Sequence, residues 1–180
     1  MTVWAIAAGV AVGIAANGAA WAQNLAGVGS SAPPNSIALV DSTGKVAARA
    51  LTDTIMLISV GSGVVAPALI RPLYDADGRT ASGLATWQSS GSVLFTSFDC
   101  TTGAYVYSLP YAGVRAATQV QTPAGIVLYV GAIGTGTTVA VRSILYDSGC
   151  STLTVQQDGL LPVLATINLS TAYPPPLSFQ

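Results

Sequence analysis

Turn-forming sequences interrupt the chain about every ten residues from Leu84 onward, and this spacing limits what the chain can fold into. Between the turns lie short stretches rich in Val, Ile, Leu, Tyr and Thr, most of them too short for a typical helix but long enough for a strand. The stretches are 84–88, 92–97, 104–108, 113–117, 125–130, 137–146, 152–156 and 161–169. This pattern predicts an all-β fold, either an antiparallel sandwich or an open barrel of short strands.

The residues before Leu84 predict a hairpin followed by further strands. The β-prone stretches 36–40 and 45–51 flank the turn sequence Asp-Ser-Thr-Gly at 41–44, in which Gly tolerates a positive φ. An apolar stretch at 63–70 also predicts a strand. Because Pro67 cannot donate a ladder hydrogen bond, we expect that strand at a sheet edge or at a bulge.

Residues 1–22 have the pattern of a signal peptide. A short apolar run at 3–16 is followed by a breaker and by Ala-Trp-Ala, which predicts cleavage before Gln23. Because the run is shorter than the ~20 residues that span a bilayer, a permanent transmembrane helix is the weaker interpretation. An Ala-rich helix that belongs to the fold is the alternative to a signal peptide. The positively charged segment that usually begins a signal peptide is missing, because no Lys or Arg precedes the apolar run. We expect residues 23–35 to be a Gly/Ser/Pro linker and residues 36–180 to be a single β domain.

The chain has two cysteines, Cys100 and Cys150. They lie too far apart for a C-x-x-C redox pair, and without His they are too few for a usual zinc site. A disulfide is the remaining specific interpretation, and two buried free thiols are the alternative. A disulfide here would close a loop of about 51 residues and stabilise the fold by roughly 4 kcal/mol in the chain-entropy model. With the signal pattern, it predicts a secreted, periplasmic or cell-surface location.

The charge composition excludes several classes of partner. Only 7% of the residues are charged, against about 25% in ordinary soluble domains, and the net charge is −1. The six basic residues are spread from Lys45 to Arg142 and form no patch that could neutralise a phosphate backbone or an anionic lipid surface. We therefore expect no nucleic-acid partner. Because the apolar run at 3–16 is short and is predicted to be cleaved off, we also expect no membrane span after processing.

Several segments, in a fixed order, carry a resemblance to known proteins. They are VDSTGKV at 40–46, GSVLFTSFDCTTGAYV at 91–106, Pro110, LYV at 128–130, VRSILYDSGC at 141–150 and YPPPL at 173–177. The chain resembles a group of uncharacterised exported bacterial β-rich proteins, which have a V-D-x-x-G-K-V hairpin, an F-x-S-x-D-C-x-x-G segment, a second Cys and a Pro-Pro tail. The resemblance implies a surface-displayed β domain and no mechanism. Ala48 stands where the group has Gly.

Candidates for catalysis are few, because the chain has neither His nor Glu and acid–base chemistry would depend on seven Asp residues. The most specific pattern is Leu-Tyr-Asp-Ser-Gly at 145–149, which is similar to the catalytic turn of aspartic proteases, where two carboxylates share a proton. A second D-[ST]-G sequence is required, either in the chain or from a dimer mate, and the chain has none. A β-turn at Asp147 is therefore the preferred interpretation, and we predict that the protein is not an enzyme.

Two other turns have weak ligand-binding patterns. Asp-Ala-Asp-Gly at 75–78 resembles the start of a calcium loop but lacks the later carboxylate ligands. The Gly-rich sequence at 131–136 lacks the Lys and the following helix of a phosphate-binding loop. We predict plain turns in both places, with no metal and no cofactor.

Aromatic residues concentrate in the middle of the chain and suggest a possible binding surface. The candidate binding residues are Trp87, Tyr105, Tyr107 and Tyr111. Packing in the core is the other explanation, because Tyr105 and Tyr107 have the alternation of strand positions. A glycan- or peptide-binding surface would need several of these rings exposed on one face.

These observations leave three functional hypotheses. The first is a non-catalytic extracellular or envelope-associated β domain with a structural, surface-display or self-assembly role. The second is a glycan- or peptide-binding module, and the third is an Asp-based hydrolase. Because so few charges protect its strand edges, we expect the domain to form a homo-oligomer or to bind an envelope component. The strand around 139–145 is then expected either in the centre of a sheet or at the contact.

Overall fold

The computed structural model of the chain describes residues 37–61, 63–79, 81–108 and 115–180. All of them belong to one unit, Pro33–Gln180. The predicted signal peptide and linker lie outside the described residues, as does Tyr111. Within the described ranges, no helix has the length and the apolar character that crossing a membrane requires.

The described residues form strands and one short helix. In chain order these are β1 (Ala38–Val40), β2 (Val46–Ala50), β3 (Ile55–Ser59), β4 (Val65–Tyr74), β5 (Ala81–Trp87), β6 (Val93–Phe95), β7 (Ala104–Tyr107), β8 (Ala117–Thr122), β9 (Gly125–Gly131), β10 (Thr137–Tyr146), β11 (Gly149–Asn168), α1 (Leu169–Ala172) and β12 (Leu177–Phe179). Every pairing between these strands is antiparallel. The predicted antiparallel all-β class is therefore confirmed.

The first sheet closes into a six-stranded barrel in the order β1-β12-β5-β4-β3-β2. β1 and β2 form the predicted hairpin. The barrel closes because β12, the last strand of the chain, pairs with β1 on one side and with β5 on the other. β12 was not predicted from the sequence, in which this region has the pattern of a Pro-rich tail.

The barrel core follows from the alternation of side chains along each strand. Met56 and Ile58 of β3 are fully buried, and so are Ala66 and Ile70 of β4. The same cluster continues onto one face of β9, with its buried residues Ile126, Leu128 and Val130. The barrel core and the second sheet are therefore in direct contact.

Pro67 does not place β4 at an edge, contrary to the sequence-based expectation. β4 lies between β3 and β5 in the barrel, and Pro67 is opposite Leu57 of β3. The pairing with β5 begins only at Ile70. Among the described strands, Pro67 thus has a strand neighbour on one side only, and its missing N–H interrupts no second ladder.

The second sheet has the order β10-β6-β7-β11-β9-β8, and β10 also pairs with β11. The twenty-residue strand β11 organises it, because β11 pairs in turn with β10, with β7 and with β9. The strands β10, β6, β7 and β11 form a closed circuit of pairings. A small core cluster lies among them, made of Leu94, Val141, Ile144 and Leu160.

β11 corrects the prediction of two strands separated by a turn at Gln157-Asp158-Gly159. Gly159 has φ +73° and lies inside the strand, where the pairing with β10 shifts register between Thr137 and Val139. A β-bulge of this kind absorbs an extra residue without ending the strand. The site is also tight, because a Cβ atom on Gly136 would lie 2.4 Å from the backbone of Gly159.

Cys100 and Cys150 form a disulfide, as predicted, with their Cα atoms 6.0 Å apart. It connects the loop between β6 and β7 to the start of β11. Cys100 has φ +57°, and its N–H donates to the hydroxyl of the buried Ser143 at 3.1 Å. That hydroxyl donates to the carbonyl oxygen of Ser97 at 2.6 Å. Ser143 of β10 thus holds both sides of the cysteine loop.

Candidate interaction surface

The candidate site is an edge of β11 over residues 150–157, which we call the β11 edge. One side of this segment pairs with β10, for example Val155 with Val141. β7 reaches the other side of β11 only at Leu160–Pro162, where Leu160 is opposite Tyr107. No described strand pairs with that other side between 150 and 157, so its backbone N–H and C=O groups lack a ladder partner.

The side chains of the β11 edge leave it open. Residues 150–156 are all exposed, although strand residues alternate between two faces. Leu153 is 36% exposed and Val155 is 40% exposed. The segment contains no charged residue and no proline, the two residue types that natural edge strands use most to prevent pairing. A bulge opposite Arg142, where Val141 pairs with Val155 and Ser143 with Thr152, is its one protective device.

Besides β8, two other segments in this sheet have no second strand partner among the described strands, and both carry a protective residue. β10 pairs with β6 only at Ser143–Leu145, so residues 137–142 have an open side, which contains Arg142. The stretch 163–168 of β11 pairs with β9 alone and begins directly after Pro162. Charge and proline both disfavour the addition of a strand. Of the three segments, the β11 edge is the least protected.

β10 was the strand predicted in the centre of a sheet or at a contact. It lies between β6 and β11 at Ser143–Leu145 and is central there. The sequence did not identify β11 as the open strand, because edge and interior strands have similar apolar patterns.

The outer side of β8 shows how an edge is closed in this protein. The backbone carbonyl oxygen of Gln119 accepts a hydrogen bond from the N–H of Ser90 at 2.9 Å, and the backbone N–H of Gln119 donates to the Ser90 hydroxyl at 2.8 Å. The N–H of Gln121 donates to Oδ1 of Asp147 at 2.8 Å. These backbone groups already have partners, so β8 offers no comparable ladder for a further strand.

An open depression of about 250 Å³ lies beside the β11 edge. It is lined by Ala140, Val141, Arg142, Thr154, Val155 and Gln156. The guanidinium group of Arg142 lies 5.3 Å from the ring centroid of the exposed Phe98, which is within cation–π range. The surface next to the edge therefore combines apolar side chains, the uncharged polar side chains of Thr154 and Gln156, and one stacked cation.

Three of the four predicted aromatic binding residues, Trp87, Tyr105 and Tyr107, lie in the described part of the chain. Trp87 is only 4% exposed, belongs to the barrel core, and donates from Nε1 to the carbonyl oxygen of Tyr173 at 3.0 Å. Tyr105 is half-buried against the cluster of Leu94, and Tyr107 is exposed. Trp87 and Tyr105 thus serve packing, and Tyr107 is the one described candidate with a largely accessible ring.

Asp147 lies at the turn between β10 and β11, and its carboxylate accepts hydrogen bonds from two neighbouring segments. Its Oδ1 accepts hydrogen bonds from the Ser89 hydroxyl at 2.6 Å and from the N–H of Gln121 at 2.8 Å. These contacts hold the hairpin end against β8. In the part of the chain that the structure describes, no group of three His, Cys, Asp or Glu side chains is placed to hold a metal ion.

The turn at 75–78, predicted as plain, connects β4 to β5. The N–H of Gly78 donates to the carbonyl oxygen of Asp75 at 2.8 Å, and the N–H of Arg79 donates to Oδ1 of Asp77 at 2.8 Å. Gly78 has φ +66°, which favours glycine. These hydrogen bonds are those of a β-turn with a side-chain cap.

Asp41 organises the hairpin between β1 and β2. Its Oδ1 accepts from the hydroxyl of Thr43 at 2.7 Å, from the N–H of Thr43 at 2.8 Å and from the N–H of Lys45 at 3.0 Å. The Thr43 hydroxyl, more than any other group, holds the pKa of Asp41 below its ordinary value. Lys45 reaches the chain end, with Nζ 4.3 Å from the centroid of the Tyr173 ring. The hairpin and the Pro-rich tail therefore stabilise each other.

Comparison with known proteins found no family model, no curated protein and no solved structure that matches the chain. The resemblance to exported bacterial β-rich proteins therefore stays a prediction.

Proposed function

We propose that this protein is a non-catalytic extracellular or envelope-associated β domain that has a structural role and assembles with copies of itself. The observation that carries the proposal is the β11 edge, an exposed strand edge with neither charge nor proline. Such edges are sites of strand pairing between chains, and natural proteins usually protect them. The low charge of the whole chain removes a second barrier to association.

The extracellular part of the proposal is supported by the disulfide between Cys100 and Cys150. Disulfides persist in oxidising compartments and are rare in the cytosol. The sequence pattern of residues 1–22 points in the same direction.

The non-catalytic part is supported by the environment of the one acidic residue with a catalytic-type sequence around it. Oδ1 of Asp147 is already bonded by Ser89 and Gln121, which is a positioning arrangement for a hairpin end. The glycan- or peptide-binding alternative has less support than the sequence suggested, because Trp87 lies in the core. Tyr107 is the accessible ring that would have to carry it among the described residues.

The test is the mass of the full chain in solution, measured by sedimentation velocity across the micromolar range after export from a bacterial host. We expect a sedimentation coefficient that rises with protein concentration, because association follows mass action. A monomer at every concentration would overturn self-assembly. A monomer that binds a glycan or peptide array, with the binding lost in Tyr107→Ala, would favour the binding-module alternative.

A further inference from the structure

We infer that the β11 edge is the surface through which two copies join, by antiparallel pairing of residues 151–157 with the same segment of a second copy about a two-fold axis near Thr154. The inference rests on the proposed self-assembly and identifies the surface and the geometry that produce it. It names a second copy of the chain as the occupant of the edge.

Exposure distinguishes the β11 edge from the open stretches of β10 and of β11 at 163–168. Residues 150–156 are exposed on both faces, so an added strand meets no covering element among the described residues. In the stretch 163–168, by contrast, Val163, Ala165 and Ile167 are half-buried, and Pro162 precedes them. The open side of β10 carries Arg142, and a charged residue on an edge disfavours the addition of a strand.

The distribution of charge favours a second copy as the partner and an antiparallel direction for the two paired strands. The segment Ser-Thr-Leu-Thr-Val-Gln-Gln has no charge, so it meets itself without repulsion. Asp147 and Asp158 lie on either side of it. A parallel pairing in register would place each aspartate beside its own copy, whereas an antiparallel pairing about Thr154 places Asp158 opposite Cys150 and Asp147 opposite Leu161.

The same axis lies beside apolar side chains. In a pairing about Thr154, Leu153 and Val155 of each copy lie next to the axis, on opposite faces of the sheet because the bulge at 153–154 shifts the alternation of side chains. Both side chains are now more than one-third exposed, so pairing removes apolar surface from water while it satisfies the backbone groups of the edge. Because both copies use the same edge, the pairing is self-complementary and closes as a dimer.

The first experiment compares two lysine substitutions in the full chain by sedimentation velocity. Val155→Lys places new charges close to the axis, and we expect it to weaken self-association at least about tenfold, because like charges are brought together across the interface. Leu164→Lys is the matched control. It changes a leucine that is more exposed than Val155, 55% against 40%, on the same strand but outside the β11 edge, and we expect unchanged association. Thermal unfolding checks that both variants fold.

The second experiment follows hydrogen–deuterium exchange of the unmodified chain at low and high protein concentration. We expect the amides of residues 151–157 that point away from β10 to become protected as the chain associates, and those of 163–168 to stay unchanged. Association with no protection at 151–157, or association lost in Leu164→Lys but kept in Val155→Lys, would overturn the inference and leave the proposed self-assembly standing. A monomer at every concentration would overturn both, and growth into filaments would overturn the closed two-fold geometry.

Discussion

At the scale of single residues, Gln119 of β8 acts as a substitute for a missing strand beside β4. Its side chain is 1% exposed, its Oε1 accepts from the N–H of Leu69, and its Nε2 donates to the carbonyl oxygen of Leu69 at 3.0 Å. The pairing of β4 with β5 starts one residue later, at Ile70. The amide group thus continues the ladder across the contact between the barrel and the second sheet.

We expect Gln119→Leu to lower the free energy of unfolding by about 1–3 kcal/mol, because the N–H of Leu69 loses its hydrogen bond to the buried Gln119 side chain and would face an apolar group instead. The carbonyl oxygen of Leu69 keeps one, since it also accepts from the N–H of Gln88 at 3.1 Å. Gln121→Leu is the control, because that side chain lies exposed on the same strand. Urea denaturation measures both, and equal stabilities of the two variants would contradict this role for Gln119.

At the scale of elements, the disulfide holds the loop between β6 and β7 against the start of β11. Opening it releases Cys150, which lies exposed in the β11 edge, and Cys100, whose positive φ the loop must hold. It also frees a loop in the unfolded chain that the bond otherwise constrains. The bond is therefore expected to affect both the stability of the fold and the order of the candidate interaction surface.

We expect reduction to lower the melting temperature by about 8–16 °C, from roughly 4 kcal/mol of loop entropy at about 2–4 °C per kcal/mol for a domain of this size. Calorimetry with and without reductant measures the shift. The double variant Cys100→Ser with Cys150→Ser is the control, because reductant should not change its melting temperature. Two thiols that titrate in the native, unreduced protein would contradict the bond itself.

At the scale of the whole molecule, the barrel depends on its last strand. β12 fills the gap between β1 and β5, and its Leu177 is fully buried in the barrel core. The residues before it are bound by Lys45 and Trp87, which contact the backbone of Ala172 and Tyr173. The two ends of the described domain thus meet in one sheet.

We expect Leu177→Ala to lower the free energy of unfolding by about 2–5 kcal/mol, because it leaves a cavity where the barrel closes. Phe179→Ala changes a side chain of the same strand that is partly exposed, and it should cost clearly less. Chemical denaturation of the two variants gives the comparison. If both cost the same, Leu177 does not have the core position that the barrel assigns to it.

Local sequence by itself determined the class of this fold and several of its parts. Turn chemistry depends on neighbouring residues, and so the spacing of turns predicted an antiparallel all-β domain, the hairpin around Asp41 and the bounds of β10 at 137–146. The two cysteines predicted their own bond because the composition left few alternatives.

Only the tertiary structure decided the features that depend on distant partners. Gly159 could begin a turn or occupy a bulge, and the register against β10 makes it a bulge. Trp87 could display its ring or bury it, and barrel closure buries it. Whether a strand is an edge depends on which other strands reach it, so the candidate interaction surface could not be located from the segment Ser151–Gln157 alone. Pairing between strands far apart in sequence is the physical reason, because no local pattern encodes it.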